Sequence, residues 1–401
     1  MDLFVSFDFN SVWAFGGIVF LASMFGLFTL VQIAQSKFIW LRKYLTIPAR
    51  KSTTNAVQLG GLPISLVIFL SSLYLGYENV YFNGLNSEIL HRWSYCSLVI
   101  IAYGYLDDRF ELRPIVKLCL QVLCVLTFSV LTAEIFSRYQ SALSLIVVFI
   151  WGMGTVNGAN LLDGLDTLTV KLTTSILSFY FIASFYLHLP QLTWAATMVL
   201  SAILGFYYFN KEPAKVHLGE IGGSFMGMSY LLLSSLLYVG TREKFGAASS
   251  AAIALMPLSL PMVELAISFM RRIYNRKSPF KGDKLHVHHI LKNYHNFSAS
   301  QSSSIMMLGH LFSLSLSSVI AFVIHPWLGY FSHLIILTSM YLSIGVKYWK
   351  GSDTLDLSAK SIFQYLRKKD VMIIDSSKID DFQITIINEE VEEDDDDQEV
   401  A

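Results

Sequence analysis

Residues 142–156 form an uncharged, mostly apolar run that leads directly into Asn157-Gly158-Ala159-Asn160-Leu161-Leu162-Asp163-Gly164-Leu165-Asp166. The run reads as a membrane helix, and the polar residues after it recur at i, i+3, i+6 and i+9. A helix would align two amides and two carboxylates on one slowly drifting stripe. Such groups are expensive at the end of a membrane helix unless a ligand, or a polar seam between helices, takes them up.

The rest of the chain has the same character. Of 401 residues, 54% are apolar or aromatic and 15% are charged, against roughly 25% charged in soluble domains. Mean hydropathy is +0.51. This composition excludes a disordered chain, a fibrous one and a single soluble globule, because so much apolar surface needs lipid to cover it. The expected class is an all-α polytopic membrane protein embedded in the lipid bilayer, with no sign of nucleic-acid binding. Cys96, Cys119 and Cys124 sit in apolar runs without paired spacing, so neither a disulfide framework nor a zinc site is expected. The first apolar run lacks a basic flank and a small-residue cleavage site, and is expected to be retained.

Eleven segments are apolar enough to be candidate spans: 12–35, 59–77, 93–106, 114–133, 142–158, 168–188, 191–209, 221–240, 248–270, 304–325 and 327–346. Basic residues orient them. The first loop holds Lys37, Arg42, Lys43, Arg50 and Lys51, and the loop after the ninth span holds Arg271, Arg272, Arg276, Lys277, Lys281, Lys284 and Lys292. Placing both in the cytoplasm leaves only Arg92, Arg138, Arg242 and Lys244, of 29 bases, outside. The N-terminus is then external and the C-terminus cytoplasmic. Residues 1–346 form the expected membrane domain. Residues 347–388 form a small cytoplasmic segment with two candidate strands at 371–374 and 382–387. Residues 389–401, nine acids without a base, form a disordered tail.

Five polar or glycine-rich clusters fall on the cytoplasmic side. Gly60-Gly61 opens the second span, where a plain helix start is the simplest reading. Asp107-Asp108 stand at a helix mouth, where they repel each other and call for a cation; Lys117 follows. On a helix the two acids point about 100° apart, so they do not duplicate one role. The stripe Asn157, Asn160, Asp163, Asp166 is the third cluster. Gly219-Glu220-Ile221-Gly222-Gly223 is the fourth, with glycines that let a backbone approach a phosphate and an acid that can reach a cation. His286-Val287-His288-His289 is the fifth, suited to a transition metal or to hydrogen bonding a diphosphate. Carboxylates, amides, a lysine and histidines at one membrane face point to magnesium and phosphates.

Together these motifs make the sequence resemble the polyprenyl-phosphate N-acetylhexosamine-1-phosphate transferases, a glycosyltransferase 4 type family, in its WecA-like branch and related to the MraY enzymes. The resemblance spans roughly residues 46–292. It implies transfer of N-acetylhexosamine 1-phosphate from a UDP-N-acetylhexosamine, UDP-GlcNAc by default, to undecaprenyl or another polyprenyl phosphate. UMP leaves, and the product begins a cell-surface polysaccharide such as O-antigen. It implies Mg2+, with Mn2+ as a substitute, and a multi-pass protein of the bacterial cytoplasmic (inner) membrane with its active site on the cytoplasmic face; a homodimer is left open. Carried over by position, Asn160 and Glu220 resemble the metal contacts, and Asp107, Asp108, Lys117 and Asp163 the catalytic set. Asn157, Asp166, Lys51, Gly60, Gly61, His286, His288 and His289 resemble the substrate-binding set. The chain departs from the pattern at Glu220, where Asp is usual, at Thr167, where Gly is usual, and in its first loop, which lacks the flanking Asp and His. Two other classes compete. A transporter would use the intramembrane acids, Glu264 being the clearest. A non-catalytic scaffold derived from the family would explain Glu220.

Overall fold

A bilayer offers no partners for backbone polar groups, so a chain of this composition can cross it only as helices or a closed barrel. The structure, a computed structural model, describes residues 9–36, 56–77, 84–136, 141–279 and 283–349. Lys51, both candidate tail strands and the acidic run lie outside the described residues.

The helices are α1 (Phe9–Gln35), α2 (Gly61–Tyr77), α3 (Gly84–Phe110), α4 (Pro114–Phe136), α5 (Ser141–Leu161), α6 (Leu168–Tyr186) and α7 (Pro190–Asn210). They continue with α8 (Gly219–Phe245), α9 (Ala247–Leu255), α10 (Ser259–Tyr274), α11 (Val287–Asn293), α12 (Ala299–Val323) and α13 (Pro326–Trp349). Each of the eleven expected segments coincides with a helix or, for the ninth, with a helix pair. There α9 and α10 meet through the 3-10 turn Met256–Leu258, because Pro257 cannot supply the amide that would continue the ladder. Among the described residues, nine helical stretches are long and apolar enough to cross a membrane by length and composition, α9 and α10 counting as one. The other two segments are α2, which is short, and α3, which carries Glu88, Arg92, Asp107, Asp108 and Arg109. The protein is an all-α, multi-pass membrane protein.

The architecture is built around α8. Its apolar window is 94% buried, against 33% for α1. Glycines let neighbouring backbones approach it. A Cβ on Gly61 would meet Leu218 O at 2.6 Å, one on Gly104 would meet Ile221 Cα at 2.7 Å, and one on Gly227 would meet Thr155 O at 2.5 Å. Helices α2, α3 and α5 therefore press on α8 from three sides. Outward faces carry Ile18, Leu21, Phe25, Leu70 and Leu123, side chains suited to lipid. A smaller apolar cluster joins Val287, Ile290 and Leu291 of α11 to Leu162, Leu260, Met306 and Trp349, seating that short helix on the bundle end.

A strip of extended chain ties the start of α2 to the start of α8. Val57 N donates to Lys215 O at 3.0 Å, His217 N to Val57 O at 2.8 Å, Gly60 N to His217 O at 3.0 Å and Gly61 N to Leu218 O at 2.7 Å. Gly219, the next residue, has φ of 75°, and a Cβ there would lie 2.5 Å from Gln58 O and 2.8 Å from Asp108 Oδ2. Left-handed backbone costs a residue with a Cβ about 1–2 kcal/mol, so Gly219→Ala is expected to destabilise the protein by at least that much. Thermal unfolding in detergent measures it, and an unchanged midpoint would contradict the packing described.

Candidate active site

The carboxylates of Asp107 and Asp108 divide as their 100° separation requires. Asp108 turns to α8 and accepts from Glu220 N at 2.9 Å and Ile221 N at 3.2 Å. It thus caps a helix from a neighbouring one, where a negative charge meets the positive end of the helix dipole. Asp107, 8% exposed, keeps Oδ1 on Leu112 N at 2.9 Å and holds Oδ2 3.5 Å from Lys117 Nζ. Lys117 also contacts Glu220 Oε2, and Asn160 Nδ2 donates to the same oxygen at 2.8 Å. Asp107, Lys117, Glu220 and Asn160, from four helices, form one continuous polar string.

The rest of the stripe is held locally. Asn157 Nδ2 donates to Met153 O at 2.9 Å in its own helix. Asp163 accepts from Thr169 Oγ1 at 2.7 Å. Burial pushes the Asp163 carboxyl above its usual value, and the Thr169 hydroxyl and His217 offset this only in part. Asp166 Oδ2 accepts from Ala214 N at 3.0 Å, and its Oδ1 lies 3.9 Å from His217 Nδ1. Thr167, where the resemblance has Gly, sits at φ 66°, which is why Gly suits the position. Its amide donates to Asn210 Oδ1 at 2.8 Å and its hydroxyl to Ser303 Oγ at 3.2 Å. Gly60 and Gly61 serve the strip and the α2–α8 contact, so packing accounts for both.

The histidine motif adjoins the stripe at Gly164, where a Cβ would strike the His288 ring. The three histidines differ in environment. His286 is buried, with Nδ1 2.6 Å from Glu264 Oε1 and Nε2 3.9 Å from Asp283 Oδ1. His288 is fully buried, and burial keeps its ring neutral. His289 is the half-buried ring of the three; burial, then His286 and Lys284, lower it to about 4. At neutral pH His289 therefore meets a ligand as an uncharged donor or acceptor. In this structure the other two rings are enclosed by protein.

The loop bases also behave unlike free cations. Arg271 grips Asp283 through two bonds of 2.7 and 3.0 Å, and Arg272 Nε adds one of 2.9 Å. Burial alone would raise Asp283, but these guanidiniums and Leu285 N hold it well below the usual carboxylate range. Both arginines are 6% exposed, so they brace the loop and are not presented to phosphates. Lys284 is exposed, and Lys281 lies outside the described residues. Sequence reasoning did not anticipate the parts played by Asp283, Thr169, Asn210 and His217. Asp283 and His217 flank quoted motifs, whereas Thr169 and Asn210 gave no separate signal.

Among the described residues, no three His, Cys, Asp or Glu side chains converge as a ready-made ion cage. The donors near the string are the Glu220 carboxylate, whose Oε2 already takes Lys117 and Asn160, and the Asn160 amide, with Asp107 across Lys117. That sparse hard-oxygen set fits magnesium, which takes few protein ligands when phosphate oxygens and water complete its shell.

The description "Glycosyl transferase family 4" matches residues 91–238, which run from α3 into α8 and contain every member of the string. An undecaprenyl-phosphate alpha-N-acetylglucosaminyl 1-phosphate transferase of Thermotoga maritima is 29% identical over 60% of this chain and 70% of its own length. A decaprenyl-phosphate N-acetylglucosaminephosphotransferase of Mycobacterium leprae is 25% identical over 59% and 67%. A phospho-N-acetylmuramoyl-pentapeptide-transferase of Streptococcus thermophilus is 29% identical over 53% and 70%. With the motifs in order along a helical membrane bundle, residues 91–238, which enclose the polar string, are a glycosyl transferase family 4 segment, and the relatives it is similar to are phospho-sugar transferases, two of them named for undecaprenyl or decaprenyl phosphate.

Proposed function

We propose that the protein transfers N-acetylhexosamine 1-phosphate from a UDP-sugar, UDP-GlcNAc first, to a polyprenyl phosphate. One observation carries this reading: the string Asp107–Lys117–Glu220–Asn160 gathers at one bundle end, beside the aspartates and histidines of the other motifs. An oxygen of the lipid phosphate attacks the sugar-linked β-phosphorus. The bond from that phosphorus to the oxygen bridging it to the α-phosphorus breaks, and UMP leaves with that oxygen. A phosphate monoester is already largely ionised near pH 7, so Asp107 needs only to position the attacking group, together with Lys117. Lys117 supplies positive charge where charge develops. His289, Asp163 and Asp166 flank the site on the side where the nucleotide sugar would lie.

Glu220, with Asn160 turning its amide to offer Oδ1, would hold Mg2+, or Mn2+ in its place, and the ion would neutralise diphosphate charge. Glu220→Gln is expected to raise the magnesium needed for half-maximal rate by about tenfold or more; an unchanged titration would move the ion elsewhere. The reading includes eleven crossings with the N-terminus outside, a cytoplasmic-face site in a bacterial inner membrane, and a product that starts a surface polysaccharide. The test is UMP release from purified protein with magnesium, polyprenyl phosphate and a panel of UDP-N-acetylhexosamines. Release with one donor supports the reading and names the sugar. Silence across the panel, with a known relative active in parallel, overturns it.

A further inference from the structure

Helix α10 is polar on its inner face and apolar on its outer one, the inverse of a surface helix in a water-soluble protein. Glu264, Ser268, Arg271 and Arg272 follow at i, i+4, i+7 and i+8, the spacing of one face, and all four are buried. Met270, Ile273 and Tyr274 are exposed. The buried row holds the segment 283–286, just ahead of α11. At one end Arg271 and Arg272 clamp Asp283, whose Oδ1 also takes Leu285 N at 3.0 Å, and Trp349 Nε1 of α13 donates to Leu285 O at 3.0 Å. At the other end Glu264 Oε1 stands 2.6 Å from His286 Nδ1. Ser268 Oγ lies 3.3 Å from that carboxylate oxygen and 3.2 Å from the same ring nitrogen. A carboxylate only accepts, so the Ser268 hydroxyl and His286 Nδ1 both donate to it, and the His286 proton is fixed on Nδ1.

His286 is the N-cap of α11, and its carbonyl accepts from Ile290 N at 3.0 Å. Its ring stacks on His288, with centroids 5.4 Å apart and planes 11° apart, and the His288 and His289 centroids are 4.3 Å apart. The row ends against the Asp163–Asp166 turn, because a Cβ on Gly164 would strike the His288 ring. Apolar contacts of Val287, Ile290 and Leu291 already seat α11 on the bundle. A buried carboxylate carries a desolvation cost that such packing does not. What it adds is direction: charge-assisted bonds are short and fix an angle, whereas apolar contacts let a short helix turn about its axis. We infer that Glu264 is a positioning residue that, through His286, sets the rotation of α11 and so the direction in which His288 and His289 face the Asp163–Asp166 turn. This rests on the proposed reading of His289 as lying beside the nucleotide sugar, but the placement of the rings can be measured without turnover.

The experiment is diethyl pyrocarbonate acylation of the folded, detergent-purified protein at neutral pH, localised ring by ring by fragmentation of the modified peptide. Wild type, Glu264→Gln and Glu264→Met are compared, with exposed His295, beyond the far end of α11, as internal reference. In wild type His289 is expected to react while His286 and His288 are protected. Glu264→Met should raise acylation of His286 and His288, relative to His295, at least about fivefold. Glu264→Gln keeps the shape and an acceptor but loses the charge, and should fall between, because a neutral bond is about half as strong. KM for UDP-GlcNAc should rise about tenfold in Glu264→Met with kcat within about threefold, since the rings that move lie on the donor side and not at the reacting phosphorus. Unchanged acylation ratios in Glu264→Met overturn the inference. So does an equal rise at all four histidines, which any general loosening would give, and so does a fall in kcat at unchanged KM. If Glu264→Met does not fold, Glu264→Gln is read alone: a rise of at least about twofold supports the inference and no rise overturns it. If acylation shifts as expected but wild type releases no UMP with any donor, the transferase reading fails and the positioning of the histidines stands.

Discussion

Replacing Lys117 with Met is expected to lower turnover by about a thousandfold, the upper end of what one well-placed charge donor contributes. Lys117 Nζ contacts Glu220 and lies 3.5 Å from Asp107. Its removal takes the cation from the middle of the string, where the proposed reaction would place both phosphates. It also leaves two carboxylates facing each other without a counter-charge, which favours protonating one of them. Lys117→Arg should not restore the rate, because a planar fork cannot replace a compact ammonium in a site this small. UMP release under single-turnover conditions, normalised to folded protein, measures the effect. A loss smaller than tenfold would remove Lys117 from the reacting centre.

The second large effect separates the adjacent acids. Asp108→Ala is expected to destabilise the folded protein by about 3 kcal/mol, because two amides at the head of α8 lose their charged acceptor. Activity should fall with the amount of folded protein. Asp107→Asn should instead leave stability within about 1 kcal/mol, since an amide oxygen can still accept from Leu112 N. Its turnover should fall about a hundredfold through loss of charge beside Lys117. Paired thermal unfolding and rate measurements decide between these assignments. Equal profiles for the two variants would refute the division of labour.

Much of the fold was legible because lipid makes apolar length a strong signal, and every expected segment has its helix. The ends were less legible. Helix α3 begins at Gly84, nine residues before the expected span, where Glu88 and Arg92 pair at 2.8 Å across one turn and a polar stretch stays helical. In the site, the Asp107-Asp108 pair could be read directly, but one helical stripe over Asn157–Asp166 is not what forms: α5 ends at Leu161, so Asn157 and Asn160 are on the helix while Asp163 and Asp166 stand on the turn after it. Which acid would face the lysine could not be read, because that depends on where α8 begins against α3. The environments of the three histidines were not legible for a similar reason. Three in four residues suggest a ligand-binding row, but Glu264, 22 residues earlier, claims His286, and Gly164 leaves room for His288 alone. Thr167 shows the reverse case: its departure from the family pattern was visible, and its left-handed backbone gives the reason the pattern exists.

The closeness of α8 to its neighbours also bears on the transporter alternative. Alternating access requires one group of helices to rock against another about a fixed site, opening first to one side of the membrane and then to the other. Here the helix that carries Glu220 is locked at Gly61, Gly104 and Gly227 to three different helices, and its head is capped from a fourth position by Asp108. A hinge would have to part backbones already in contact. The protein is built like an anvil and not like a gate: the polar string stays at one end of the bundle, on a helix held by its neighbours backbone against backbone.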